Sequence, residues 1–162
     1  MSDWWQVLDP LHSTTIAAGS IVARLVCAAL LGLIIGLDRE YRSRPAGLRT
    51  HMLVALAAGS FGVIAFEITG MIGEVAGARL DPTRVIEAVT AGVAFLAAGT
   101  IIRGERGVRG LTTGAGMWLA GAIGLACGVG AYFVAIVATV LGFLILTVLR
   151  ALEKRLPGKD EE

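Results

Sequence analysis

Between two long apolar stretches the sequence reads GLDREYRSRPAGLRTHMLV, and these residues, 36 to 54, carry an unusual load of charge. Asp38 and Glu40 offer the hard carboxylate oxygens that Mg²⁺ takes, directly or through water. Arg39, Arg42, Arg44 and Arg49 crowd the same connection. They repel a cation and suit an anion: a phosphate, a lipid head group or an acidic patch on a partner. A second connection, RGERGVRG, adds Arg103, Arg106 and Arg109. On charge alone, anion or partner contact is favoured over a bare Mg²⁺ site, which leaves Asp38 and Glu40 as weak metal candidates. A blander reading stays open. Positive charge orients a chain in a membrane, and Asp38 and Arg42 would pair at i, i+4 on a helical extension that Pro45 ends and Gly47 turns back.

Three more charges lie inside apolar runs: Arg24, Glu67 and Glu87. An unpaired charge there is costly, so a buried ion pair is the structural reading. The functional reading is an outward-facing vestibule for a cation or proton, built on Glu67 and Glu87. Elsewhere little points to chemistry. Cys27 and Cys127 read as small packing residues rather than ligands or a disulfide. His12 and His51 are too isolated for a transition-metal site. No nucleophile, base and orienting acid stand at a recognisable spacing, and no phosphate-cradling Gly loop follows a strand. An enzyme is not expected, and no cofactor is, Mg²⁺ being the one ion considered.

The elements that must position these residues are membrane helices. Of 162 residues 56% are hydrophobic and 17% charged, with 22 Gly and a mean hydropathy of +0.76. That composition fits helices associating by close backbone approach within a bilayer. A net charge of +1 argues against nucleic acid. The expected fold is all-α with five transmembrane helices, at 16–37, 52–71, 85–102, 111–129 and 131–149. Four spans with a re-entrant segment is the competing count. Eleven of the 14 basic residues fall on one side if the N-terminus is outside and the C-terminus inside. Trp4, Trp5, Tyr132 and Phe133 then suit interfacial anchoring, and nothing at the N-terminus reads as a cleaved signal peptide. The expected division is an extracytoplasmic segment 1–15, a membrane domain 16–150 and a cytoplasmic tail 151–162.

Two patterns run through the spans. Small residues recur every fourth position: Gly32 and Gly36, Ala55 and Gly59, then Gly116, Ala120, Gly124 and Gly128. Such stripes bring helices into backbone contact, within one chain or in a homo-oligomer. An offset of 63 residues superimposes Gly36 on Gly99, Gly47 on Gly110, Leu48 on Leu111 and Thr50 on Thr113. A parallel pseudo-repeat of helices 1–2 and 3–4 would set both Arg-rich loops on one face.

Together, GLDREYRSRPAGLRTHMLVALAAG and GVAFLAAGTIIRGERGVRGLTTGAGMWLAGAIGLACG resemble the two signatures of the MgtC/SapB family of bacterial inner-membrane proteins, over residues 20 to 150. The resemblance implies a multi-pass protein of the cytoplasmic membrane. It also implies a link to magnesium limitation and, in pathogens, to survival inside macrophages. Members are better described as modulators than as established transporters, and one is associated with restraint of the proton-driven ATP synthase. Carried over by position, the motif residues are Arg39, Glu40, Arg44, Pro45, Gly47, Arg49 and Thr50, then Gly99, Arg109, Gly110, Leu111 and Thr113. Asp38 stands where Glu is common, and Thr112 where virulence-type members carry Asn. Many members continue into a cytoplasmic regulatory domain, whereas this sequence ends at KRLPGKDEE. Two functions remain. One is a regulator acting through its Arg-rich loops on another membrane complex such as the ATP synthase. The other is a transporter of Mg²⁺ or another small solute, acting as an oligomer.

Overall fold

In hydrocarbon a backbone has only itself to bond, so apolar runs free of internal proline close into helices. The computed structural model describes residues 14–42, 44–73, 81, 83–105 and 107–149. Five helices occur among them: α1 (Ala18–Tyr41), α2 (Leu48–Gly73), α3 (Thr83–Ala98), α4 (Leu111–Gly128) and α5 (Tyr132–Leu144). A π-helical turn over Ile145–Leu149 prolongs α5. α1, α2 and α4, and α5 together with its π-helical turn, are long and apolar enough to cross a membrane. The protein is a multi-pass membrane protein. Most of the expected N-terminal segment, the tail 151–162, Arg79 and Arg106 lie outside the described residues.

The charged loop shortens what the sequence assigned to it. α1 runs four residues past Leu37, and α2 opens at Leu48 rather than Met52, so Asp38, Arg39, Glu40, Arg49, Thr50 and His51 are helical. The third run needs correction at its end. Its helix stops at Ala98, and the chain leaves through a turn at Gly99 and Thr100. Beyond lies a hairpin instead of a plain loop: β1 (Ile102–Gly104) pairs antiparallel with β2 (Gly107–Arg109), Arg103 opposite Val108. Gly110, at φ +89°, then turns the chain into α4, passing so close to Thr100 that a β-carbon would strike its carbonyl. Only glycine fits both demands.

The small-residue stripes seal the chain to itself. A β-carbon on Gly32 would lie 2.7 Å from that of Ala55, and one on Gly36 2.8 Å from the Leu48 Cα, so α1 meets α2 backbone to backbone. At the same stripe of α2, Gly124 and Gly128 of α4 press on the carbonyls of Ala55 and Gly59. α4 is the hub, touching all four other helices. Against it, Ala28, Ile35, Ile123, Cys127 and Ala135 form one buried cluster with α1 and α5. The Cys27 and Cys127 sulfurs sit 3.8 Å apart as free thiols.

Candidate functional site

The charged end of the bundle is assembled from the C-terminal end of α1, the start of α2 and the start of α4. Arg39 is carried inward by α1 and is only 3% exposed. Its Nη2 donates to the Thr112 carbonyl of α4 at 3.2 Å, which ties the first charged loop to the second motif. His51 is fully buried beside it. Its Nδ1–H donates to the Gly47 carbonyl at 2.9 Å, which fixes the tautomer because a carbonyl only accepts. Its Nε2 faces Gly116, where a β-carbon would lie 3.1 Å away. Gly116 therefore admits the imidazole between α2 and α4. Thr113, 3% exposed, lies buried one residue beyond the carbonyl that Arg39 holds.

The carboxylates are engaged by donors already present. Asp38 Oδ1 accepts from Arg42 Nε at 2.7 Å, the i, i+4 pair of a helical extension. Glu40 Oε2 accepts the Leu48 amide at 3.0 Å, satisfying one of the unpaired N–H groups at the start of α2, whose dipole also favours an anion there. Gly47 leaves room for that reach, since a β-carbon would strike Glu40 Oε2. Each acid gives one oxygen to a positive or N–H partner. Among the described residues no group of three His, Cys, Asp or Glu could hold a metal ion.

Around these buried groups stand exposed cations. Arg49 on α2, Arg103 on β1 and Arg109 on β2 all face outward at this end, with Pro45 and Leu111 exposed beside them and Arg44 and Thr50 half-buried. Gly99 continues the α3 ladder by one bond to Phe95 before the turn. So both motifs meet at one end of the molecule, joined by Arg39 and Thr112. The sequence marked Gly116 only as part of a small-residue stripe and gave His51 no role. A polar residue four positions after the turn glycine, aimed at a small-residue stripe, was the available signal.

The charges within the apolar runs do not pair with one another. Arg24 donates from Nη1 to the Gly128 carbonyl at 2.8 Å, where the C-terminal end of α4 offers an unsatisfied acceptor, and lies 5.5 Å over the Phe66 ring. Glu67 accepts the Thr15 and Ile16 amides at 2.7 and 2.9 Å, tying the chain ahead of α1 to α2. Glu87 is exposed on α3. Among the described residues none of the three is in a direct salt bridge; Arg24 and Glu67 each bond backbone groups.

Comparison with known proteins bears on this whole arrangement. The family described as "MgtC family" matches residues 25–155. Protein MgtC of Brucella abortus (strain 2308) is 41% identical over 130 residues, 80% of this chain and 51% of that protein. Protein MgtC of Salmonella typhimurium (strain LT2) is 35% identical over 135 residues, 83% of this chain and 54% of that protein. An Escherichia coli (strain K12) protein named "Putative magnesium transporter YhiD" is 34% identical over 139 residues, 86% of this chain and 65% of that one. The chain thus spans half to two thirds of the length of these relatives. No solved structure matches it.

Proposed function

Because the chain belongs to the MgtC family, we propose that it is a non-enzymatic regulator of the bacterial cytoplasmic membrane, linked to magnesium homeostasis. It acts through its Arg-rich inner face on another membrane complex, of which the ATP synthase is one candidate. The observation that carries this reading is the division of labour among the charges. Asp38 is buried against Arg42 and the exposed Glu40 is engaged by the Leu48 amide, while Arg49, Arg103 and Arg109 stay exposed on the same surface. A surface of that kind attracts acidic partners and lipid phosphates, and exposed Arg is the residue suited to bidentate contact with both.

The same reading takes α3 as a fifth span and puts the N-terminus outside. At 16 residues α3 is roughly 24 Å long, short of the ~30 Å core unless flanking residues complete the crossing or the bilayer thins. The basic residues support that orientation, and the α1–α2 and α3–α4 hairpins support a parallel duplication. The name of the Escherichia coli relative favours a second reading, a transporter acting as an oligomer.

In cells that depend on this protein for growth at limiting Mg²⁺, changing Arg49, Arg103 and Arg109 together to Ala is expected to reduce growth to that of cells lacking it, with membrane levels unchanged. Glu87→Gln is expected to leave growth intact. The opposite pattern, growth kept without the three Arg and lost with Glu87→Gln, contradicts the proposal.

A further inference from the structure

α1 lies flush on α4, whereas α3 rests on α4 and stands off α2. The gap is a cavity of about 1290 Å³ walled by Gly62 and Phe66 of α2, Val85 and Val89 of α3, and Trp118 and Leu125 of α4. This exceeds the ~300–1,000 Å³ of ordinary small-molecule sites. Water would find few of the two to four polar partners that it needs, so the wall calls for an apolar occupant.

Three features say what kind. Length is the first. Along α3 the lining runs from Arg84 to Val93, nine steps or roughly 14 Å, about half the ~30 Å hydrocarbon core. Along α4 it runs further, from Ala115 to Val129 or roughly 21 Å, so the cavity is at least one leaflet deep. Polarity is the second: the charged groups gather at the end where Asp81 and Arg84 open the wall. The third is sign. A shallower hollow of about 610 Å³ is lined by the same Asp81 and Arg84 together with Glu87, one turn further along α3. Asp81 accepts the Thr83 hydroxyl at 2.7 Å and the Thr83 amide at 2.9 Å. These bonds hold its carboxyl below the usual range, so it is ionised at neutral pH. The cavity's rim therefore presents one cation and one anion, Arg84 and Asp81, with Glu87 facing the adjoining hollow.

We propose that this cavity binds a single phospholipid with a zwitterionic, amine-bearing head group: phosphate on Arg84, ammonium on Asp81, acyl chain between α2, α3 and α4. An anionic lipid would satisfy Arg84 and be repelled by the ionised Asp81 carboxylate. A helix from a second copy would fill the wall but leave the charged rim unmatched.

The test is native mass spectrometry of the full chain released by mild detergent from bilayers of phosphatidylethanolamine and phosphatidylglycerol in equal parts. Wild type is expected to retain one phosphatidylethanolamine per chain. Ala122→Trp, which places an indole in the cavity from an exposed position on α4, is expected to lower retention about tenfold, as is Arg84→Gln, by loss of a charged hydrogen bond. Asp81→Asn keeps the capping geometry, because Asn caps as well as Asp, and is expected to shift the preference toward phosphatidylglycerol. Val137→Trp, on the lipid-facing side of α5 outside the cavity, is expected to change nothing. Because Arg84 is exposed, its variant tests the head group without disturbing packing. Equal retention by wild type and Ala122→Trp overturns the proposal. So does a wild-type preference for phosphatidylglycerol, or a lipid-free dimer that Ala122→Trp dissociates, which would assign the cavity to a second copy.

Discussion

Gly124→Ala is expected to destabilise the protein by about 3 kcal/mol, the upper end of what overpacking costs, and Gly124→Leu to leave no folded protein in the membrane. The new β-carbon would fall within the Ala55 carbonyl, and backbone cannot swing aside as a side-chain tip does. Relief requires parting α2 from α4. That separation would also loosen Gly128 from Gly59 and, through Gly59, the contact with Ala28 of α1. Gly92 supplies the control: a β-carbon there meets nothing within 4 Å. Gly92→Ala is expected to be neutral or to stabilise by up to about 1 kcal/mol, since alanine is the better helix former. Thermal unfolding in mild detergent reads both. Equal midpoints for the two variants would refute the packing described for α4.

Arg39→Ala is the second large effect. The residue is buried and bridges α1 to the Thr112 carbonyl, so its removal deletes a charged hydrogen bond and leaves a void beside His51 and Gly116. A loss of about 2–4 kcal/mol is expected. Arg39→Lys should recover only part of it, because an ammonium lacks the planar fork that reaches the carbonyl while still packing against its neighbours. Arg49→Ala, at an exposed position on α2, should leave the midpoint within about 0.5 kcal/mol of wild type. If Arg39→Ala also melts like wild type, Arg39 does not join the two motifs.

Helices were legible wherever the apolar run was long and uninterrupted, because hydrocarbon leaves the backbone a single solution. The Gly and Ala stripes were legible too, but not their partners. Four-residue spacing marks a face, and only packing decides that Gly124 meets Ala55 within one chain rather than across an oligomer. The β1–β2 hairpin was hidden because its three-residue strands carry a Gly and an Arg each, with no alternation to distinguish them from a loop. Asp38 and Arg42 could be paired from spacing alone. Glu40 could not be assigned to α2, since its partner is a backbone amide eight residues on. The packing role of His51 was not legible, because its neighbours in space are distant in sequence. The α1–α2 turn delivers it to Gly116, 65 positions away. Arg24 and Glu67 were expected to need an opposite charge, whereas helix ends and leading amides meet the same requirement.

In the proposed function the protein acts on another membrane complex rather than carrying Mg²⁺ itself. The most direct test is Mg²⁺ flux into sealed proteoliposomes containing only the purified, folded and uniformly oriented chain, with Asp38→Asn and Glu87→Gln alongside. No flux above protein-free vesicles is expected from any of the three. Saturable Mg²⁺ entry in the wild type that either substitution abolishes would make the protein a transporter and contradict the account.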